Sequence, residues 1–238
     1  RRQTAERTES LRTGGVSRVP AKPIGFVAVA AGDGVKEILA SLGVDRVVNG
    51  GQTMNPSTAE LLEAVGRVHA DSVIILPNNP NIHMAANQVL PLATVPVAVV
   101  PTTSVPESFA AMLAADSSGE LSQIVEAMTA AAASVRTGEV TTAIKDSTSP
   151  IGPIRKGQVI GITADEIAVV GDDVEDVSLR LAGLIAGDGE TLTLLGGEGF
   201  SESELRRLAE MISEAHPDLE VEHHAGGQPL YPVIMSVE

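Results

Sequence analysis

Ile24 to Gly43 reads IGFVAVAAGDGVKEILASLG: a fully apolar run, a glycine-containing turn, and an amphipathic stretch closed by another glycine. A strand that is apolar at every position has no solvated face, so Phe26 to Ala30 must be covered on both sides. Gly34 to Leu42 then carries apolar residues at helical spacing and stops at Gly43, a position that favours glycine because the chain turns left-handed there. This strand, turn and helix form one unit of a parallel sheet, and the unit repeats. Val47 and Val48 give a second short strand running into NGGQTMNPST. Ser57 and Glu60 stand at capping-box spacing and open a helix with Leu61, Val65 and Val68 on its buried face. Val73 to Leu76 is a third strand, and a helix follows Asn81 through Leu90. Val97 to Val100 is a fourth strand. Phe109, Met112 and Leu113, then Leu121, Ile124, Val125 and Met128, mark two more helices. The alternation predicts an α/β fold built on a parallel sheet.

Around Gly138 the pattern changes. Leu192 and Leu194 flank a threonine, and Leu219 and Val221 flank a glutamate, so these strands should each have one solvated face. One helix carries Val177, Leu181, Leu184 and Ile185. Another is capped by Ser201 with Glu204 and built on Leu205, Leu208 and Ile212 before Pro217. The expectation is a parallel α/β lobe over residues 23–138 and an acidic α+β lobe over 139–238. Residues 1–22 are rich in Arg, Thr, Ser and Gly, with little apolar periodicity, and read as a flexible linker or arm. A chain that opens on Arg rather than Met also reads as the downstream part of something longer.

Composition excludes several functions. The formal charge is −15, the wrong sign for wrapping a phosphate backbone, made up of +4 in the arm, −6 over 23–138 and −13 over 139–238. With three Phe, one Tyr and no Trp there is no platform on which to stack bases. The absence of cysteine removes disulfides, thiolate nucleophiles and cysteine metal sites. No apolar run is long enough to span a membrane. A soluble cytoplasmic protein without nucleic-acid partners is expected.

In an open parallel sheet, ligands sit beyond the carboxyl ends of the strands. Those ends carry Gly32, Asp33 and Gly34; then Gly50, Gly51, Gln52, Thr53 and Asn55; then Asn78 and Asn79; then Thr102, Thr103 and Ser104. Glycines, amides and hydroxyls can hydrogen-bond a carboxylate, a phosphate or a partner's backbone, although such residues also tie down their own loops. Asp33 is the only ionisable group among them, so a general acid or base is missing. Near the end, Gly226, Gly227 and Gln228 form a further candidate binding turn before Tyr231, which reads equally as an exposed anchor or a half-buried packing residue.

Other motifs carry no chemistry. GDG at 32–34 lacks the third glycine of a dinucleotide fingerprint, which would fall at Glu37, and there is no Walker phosphate loop. Ser57, Ser104 and Ser108 lack a nucleophile-elbow setting. His69, His83, His216, His223 and His224 show no metal-ligand spacing, so no metal site is expected. Asp172, Asp173, Glu175 and Asp176 read as a solvated helix start.

Four segments, GGQTMNPST at Gly50 to Thr58, VIILPNNPNI at Val73 to Ile82, VPTTSVP at Val100 to Pro106 and GGQPLYPVIMSVE at the end, resemble the C-terminal region of bacterial fatty acid kinase A subunits. These proteins belong to a family also described as dihydroxyacetone-kinase-like or DegV-like. The resemblance spans residues 24–238 and implies a DegV-like (EDD-type) two-lobed fold. It also implies a longer parent whose N-terminal kinase domain holds ATP and Mg and phosphorylates a fatty acid carried by a separate B subunit. No ATP or Mg ligand falls in this chain. In the B subunit, hydroxyls and a histidine near the cleft hold the fatty acid carboxylate. The resemblance places Thr102, Thr103 and Asn78 at comparable positions and offers no matching histidine.

Three readings follow. The first is a non-catalytic module that docks the B subunit through Gly50–Thr53, Asn55 and the neighbouring loops. The second is a cleft that binds a fatty acid or small anion. The third, a free-standing hydrolase or transferase, lacks its base.

Overall fold

The computed structural model describes residues 21–49 and 55–238. Its first half is a sheet of four parallel strands in the order β2-β1-β3-β4, formed by β1 (Lys22–Val29), β2 (Arg46–Val48), β3 (Ala70–Leu76) and β4 (Val97–Val99). The all-apolar runs are covered on both faces, as their sequence demands. Phe26, Ala28, Ile74 and Leu76 enter one core cluster, while Val27, Val29, Val73 and Ile75 enter another. The first cluster is closed by α1 (Asp33–Ser41), α4 (Val105–Leu113) and α5 (Leu121–Ser134). The second is closed by α2 (Thr58–Gly66) and α3 (His83–Val89). Alternate side chains of one strand thus serve opposite layers, the consequence of a two-residue period in a sheet wound on both sides.

Local chemistry fixes the ends of these elements. Ser57 and Glu60 form the expected capping box at α2. Asp45 binds the start of the sheet: its Oδ2 accepts from the Phe26 N–H at 2.7 Å and its Oδ1 pairs with Lys22 at 2.6 Å. Lys22 therefore belongs to β1 rather than to the expected arm; residues 1–20 lie outside the described residues.

The second half is a mixed six-stranded sheet, β11-β10-β12-β5-β8-β9. Its strands are β5 (Arg136–Thr142), β8 (Val159–Thr163), β9 (Glu166–Gly171), β10 (Thr191–Gly196), β11 (Glu220–Ala225) and β12 (Val233–Val237), and a small hairpin, β6 (Ser147–Ser149) and β7 (Gly152–Ile154), stands apart from it. The sheet thus opens at Arg136, three residues before the expected change of lobe. Helices α6 (Val174–Ala186) and α7 (Glu202–Ala215) pack on one face against Leu192, Leu194, Val233, Met235 and Val237. The capping box at Ser201 and Glu204 forms, and the acidic run is a helix start in which Asp173 accepts from the Asp176 N–H.

The expectation of one solvated face fails at the centre of this sheet. All five residues of β12 are buried, because Ile234, together with Leu195 of β10, enters the core cluster of the first sheet. The two halves share that core. Leu184, expected on a buried helix face, is 60% exposed.

Candidate functional site

Two of the strand-end loops meet quite different surroundings. After β1, Gly32 adopts a φ of 95° and opens α1 against the segment Ala225 to Gln228. The Val35 N–H donates to Gly226 O at 3.1 Å, and a Cβ built on Gly34 would lie 1.8 Å from Ala225 O. Gly226 and Gly227 both donate backbone hydrogen bonds to Gly196 O, and Gln228 is 1% exposed, its Nε2 donating to Leu195 O at 2.9 Å. The helix N-terminus where a nucleotide phosphate would sit is filled by protein backbone. Gly226, Gly227 and Gln228, singled out as a binding turn, form a seam between the two sheets. Asp33 stands outside it, paired with Lys36 at 2.9 Å.

The loops after β3 and β4 line an open cleft of about 820 Å³. Asn78 holds a φ of 58°, a left-handed conformation that asparagine tolerates better than most residues. Its backbone N–H donates to Thr102 Oγ1 at 3.0 Å and its Nδ2 to Val29 O at 2.9 Å, so one residue joins the ends of β1, β3 and the loop after β4. Asn79 closes an Asx turn, its Oδ1 accepting from the Asn81 N–H at 2.9 Å. Thr102 is fully buried and its carbonyl accepts a hydrogen bond from His83 Nε2 at 2.9 Å. The sequence offered no histidine for this region; a 3-10 turn over Pro80–Ile82 brings His83 back to it, where it braces the Thr102 loop. Thr103 donates both its N–H and its hydroxyl to the Glu107 carboxylate, each at 2.6 Å.

The opposite wall comes from the second sheet: Arg136, Thr137 and Glu139 of β5, the turn from Ile162 to Asp165, Leu184 and Ile185 of α6, then Tyr231 and Ile234. Ala164 and Asp165 both have positive φ, 48° and 61°, as a two-residue hairpin turn of the primed kind requires. This turn delivers Asp165 to the cleft.

Three carboxylates therefore face the cleft: Glu107, Glu139 and Asp165. Burial, with the neighbouring charge of Asp165, pushes the Glu139 carboxyl up to about 7; a hydrogen bond from Tyr231 opposes this and Glu107 adds to it. Tyr231 rises to about 12 through burial and the Glu139 charge. None of these three carboxylates is among the strand-end residues read from the sequence. Glu107 lies inside the first turn of α4, Glu139 belongs to a strand without an apolar pattern, and Asp165 sits in the turn between β8 and β9.

Of the residues named from sequence, Asn78, Asn79 and Thr103 come together in the cleft, and Thr102 lies buried behind it. Asn55 is exposed ahead of α2. Gly50, Gly51, Gln52 and Thr53 lie outside the described residues. Ser57 is a helix cap and Ser108 Oγ donates to Val105 O, whereas Ser104 Oγ is buried without a partner. Among the described residues no group of three His, Asp or Glu could hold a metal ion, and no helix is long and apolar enough to cross a membrane.

Residues 25–238 match the FakA-like family, that of the C-terminal region of fatty acid kinase A-like subunits. Protein YloV of Bacillus subtilis is 39% identical over 228 residues, covering 92% of this chain and 40% of the relative. The chain thus spans about two fifths of the length of the curated relatives it matches. A crystal structure of a DegV family protein from Corynebacterium glutamicum superposes with a TM-score of 0.66 at 15% identity, covering 91% of this chain and 96% of that one. The Streptococcus pneumoniae fatty acid kinase B3 protein, solved loaded with linoleic acid, gives 0.58 at 10% identity, covering 91% and 99%. At these identities the likeness is one of fold, and the fold is DegV-like.

Proposed function

Because the chain belongs to the FakA-like C-terminal family of fatty acid kinases, we propose that it is the docking domain of a kinase A subunit. It receives a separate fatty-acid-binding protein so that a kinase domain in a longer parent can phosphorylate the bound fatty acid. The family match across 25–238 carries this reading. The site chemistry agrees with it: the donors that a fatty acid carboxylate would need, the Thr103 N–H and hydroxyl, are already taken by Glu107. A partner of the same fold that carries the lipid removes the need for this cleft to do so. ATP and Mg belong, on this reading, to the kinase domain, and the chain acts in the cytoplasm.

The docking contact is the motif from Gly50 to Thr58 that contains Gln52, Thr53 and Asn55, because that motif is specific to the family. Surface plasmon resonance of the purified chain against the fatty-acid-binding B subunit of the same organism tests it. Saturable binding is expected, with dissociation accelerated about tenfold in Gln52→Ala with Asn55→Ala and little changed by moderate salt, since short-range contacts act mainly on the off-rate. Absence of binding would overturn the docking function. Binding that the double variant leaves unchanged and that salt alone abolishes would move the contact to the acidic surface of the second half.

A further inference from the structure

The cleft described above has a hydrogen-bonding character that the docking function does not use. Several of its donors are engaged. Asn78 uses its N–H on Thr102 and its Nδ2 on Val29 O, and Thr103 uses both donors on Glu107. Arg136 donates from Nη1 to Asp188 at 2.7 Å and from Nη2 to Ala186 O at 2.7 Å, and its Nε has no partner. Its carboxylates outnumber its cations: Glu107, Glu139 and Asp165 line the cavity beside Arg136, and Asn78 Oδ1 is buried without a donor. Ser104, only 3% exposed and lining the cleft, has an Oγ with no partner at all. Buried polar atoms left unpaired cost roughly 1–3 kcal/mol each and so mark where a ligand's polar group belongs.

We propose that this cleft binds a small organic cation, a primary ammonium on an apolar stem. The ammonium, with three donors and no acceptor, answers the surplus of acceptors at Asn78 Oδ1, Ser104 Oγ and the carboxylates. The stem lies along Val105, Ile162, Leu184 and Ile185, of which Leu184 is 60% exposed. A carboxylate ligand would face three like charges, opposed by one guanidinium that Asp188 already pairs. Among the described residues no group of three ligating side chains could hold a metal ion.

The electrostatics agree. Asp165 and Glu107 each raise the proton affinity of Glu139, which means that the three charges sense one another across the cavity, and a cation between them relieves that repulsion. The titratable groups facing Glu139 are Glu107, Asp165 and Tyr231, with Arg136 the one cation among the described residues that line the cleft. Tyr231 stays protonated throughout the neutral range, so Glu139 governs the response. Binding should tighten as pH rises through about 7 and Glu139 ionises.

The test uses octylammonium chloride, sodium octanoate and 1-octanol, which share a stem and differ in head-group charge, each below its aggregation limit. Calorimetric titration at pH 6 and pH 8 is run on the wild type, Glu139→Gln, Ser104→Ala and Asp33→Asn, the last removing an exposed carboxylate that does not line the cleft. Circular dichroism verifies that each variant is folded. Saturable octylammonium binding is expected, severalfold tighter at pH 8 than at pH 6. Glu139→Gln should weaken it about tenfold, Ser104→Ala severalfold, and Asp33→Asn not at all. Octanoate binding as tightly as octylammonium would overturn the proposal in favour of an anion site. Equal binding of octanol would reduce the cleft to an apolar groove. Absence of saturable octylammonium binding, or the same loss in Asp33→Asn as in folded Glu139→Gln, would also overturn it. None of these outcomes bears on binding of the lipid-carrying partner, so the two readings fail separately.

Discussion

The seam after β1 and the cleft after β3 and β4 lie along the carboxyl edge of one sheet, yet one is closed by backbone and the other holds about 820 Å³. The same topological rule nominates both as ligand sites. What separates them is the material the second sheet brings opposite each. At the seam it brings Gly226 and Gly227, whose missing side chains let two backbones touch. At the cleft it brings Glu139, Asp165 and Arg136, whose long polar side chains keep the walls apart. Sites at sheet ends are thus made by what faces the loops as much as by the loops themselves.

The sharpest way to break the comparison is to add one methyl group at the seam. In Gly34→Ala the new Cβ meets Ala225 O at 1.8 Å, and backbone on both sides leaves nothing to give way. We expect a loss of about 3 kcal/mol or more, a melting temperature lower by roughly 6–12 °C. Gly66→Ala is the control: nothing lies within 4 Å of its Cβ, and it should be neutral or slightly stabilising. Equal melting temperatures for the two variants would show that the seam is not tight.

At the cleft, Asn78→Ala removes the hydrogen bond to Val29 O and forces alanine into a left-handed conformation. A loss of about 2–3 kcal/mol is expected, of which Asn78→Gly should recover about 1 kcal/mol by accepting the φ without strain. Chemical denaturation measures both. If glycine is no better than alanine, the backbone conformation contributes nothing.

Glu139→Gln gives a smaller effect of opposite sign. The folded carboxyl keeps its proton up to about pH 7, whereas the unfolded chain releases it near 4.5. Between those values the folded state holds more protons, so wild-type stability falls as pH rises across the window and levels off above 7. The variant escapes this fall and should be more stable at pH 8 by about 1–2 kcal/mol, with no advantage near pH 4. Melting curves across pH 4 to 8 read the difference directly, and a gap that does not vary with pH would place Glu139 in an ordinary solvated setting.

The sequence made the first sheet legible because its strands are buried on both faces: FVAVA and VIIL contain nothing that could tolerate water. The capping boxes at Ser57 and Ser201 were legible for a similar reason, since they are local and need only four residues. Of the second sheet only β10 and β11 were legible, through the alternation at Leu192, Leu194 and Val221. Strand β5 reads RTGEVTT and has no apolar period, because β12 and β8 supply its pairing and α6 covers Gly138 and Val140. Its partners lie far along the chain, and propensity carries no trace of them. The cleft was half legible for the same reason. Asn78, Asn79 and Thr103 stand at strand ends that could be read, whereas Glu107, Glu139 and Asp165 converge only through tertiary pairing. Gly226 to Gln228, read as a candidate binding turn, meets backbone of the chain itself: the start of α1 on one side and Gly196 O on the other.

The seam also sets the order in which the protein can form. The bond from the Val35 N–H to Gly226 O closes a loop of roughly 190 residues, among the longest the chain can make, and contacts of such separation form late and slowly. During synthesis the first sheet can assemble on its own helices, but the start of α1 and the edge facing Leu195 and Ile234 stay uncovered until the segment from Gly226 to Glu238 arrives. That segment closes the fold, and without it apolar surface would be exposed on both halves at once.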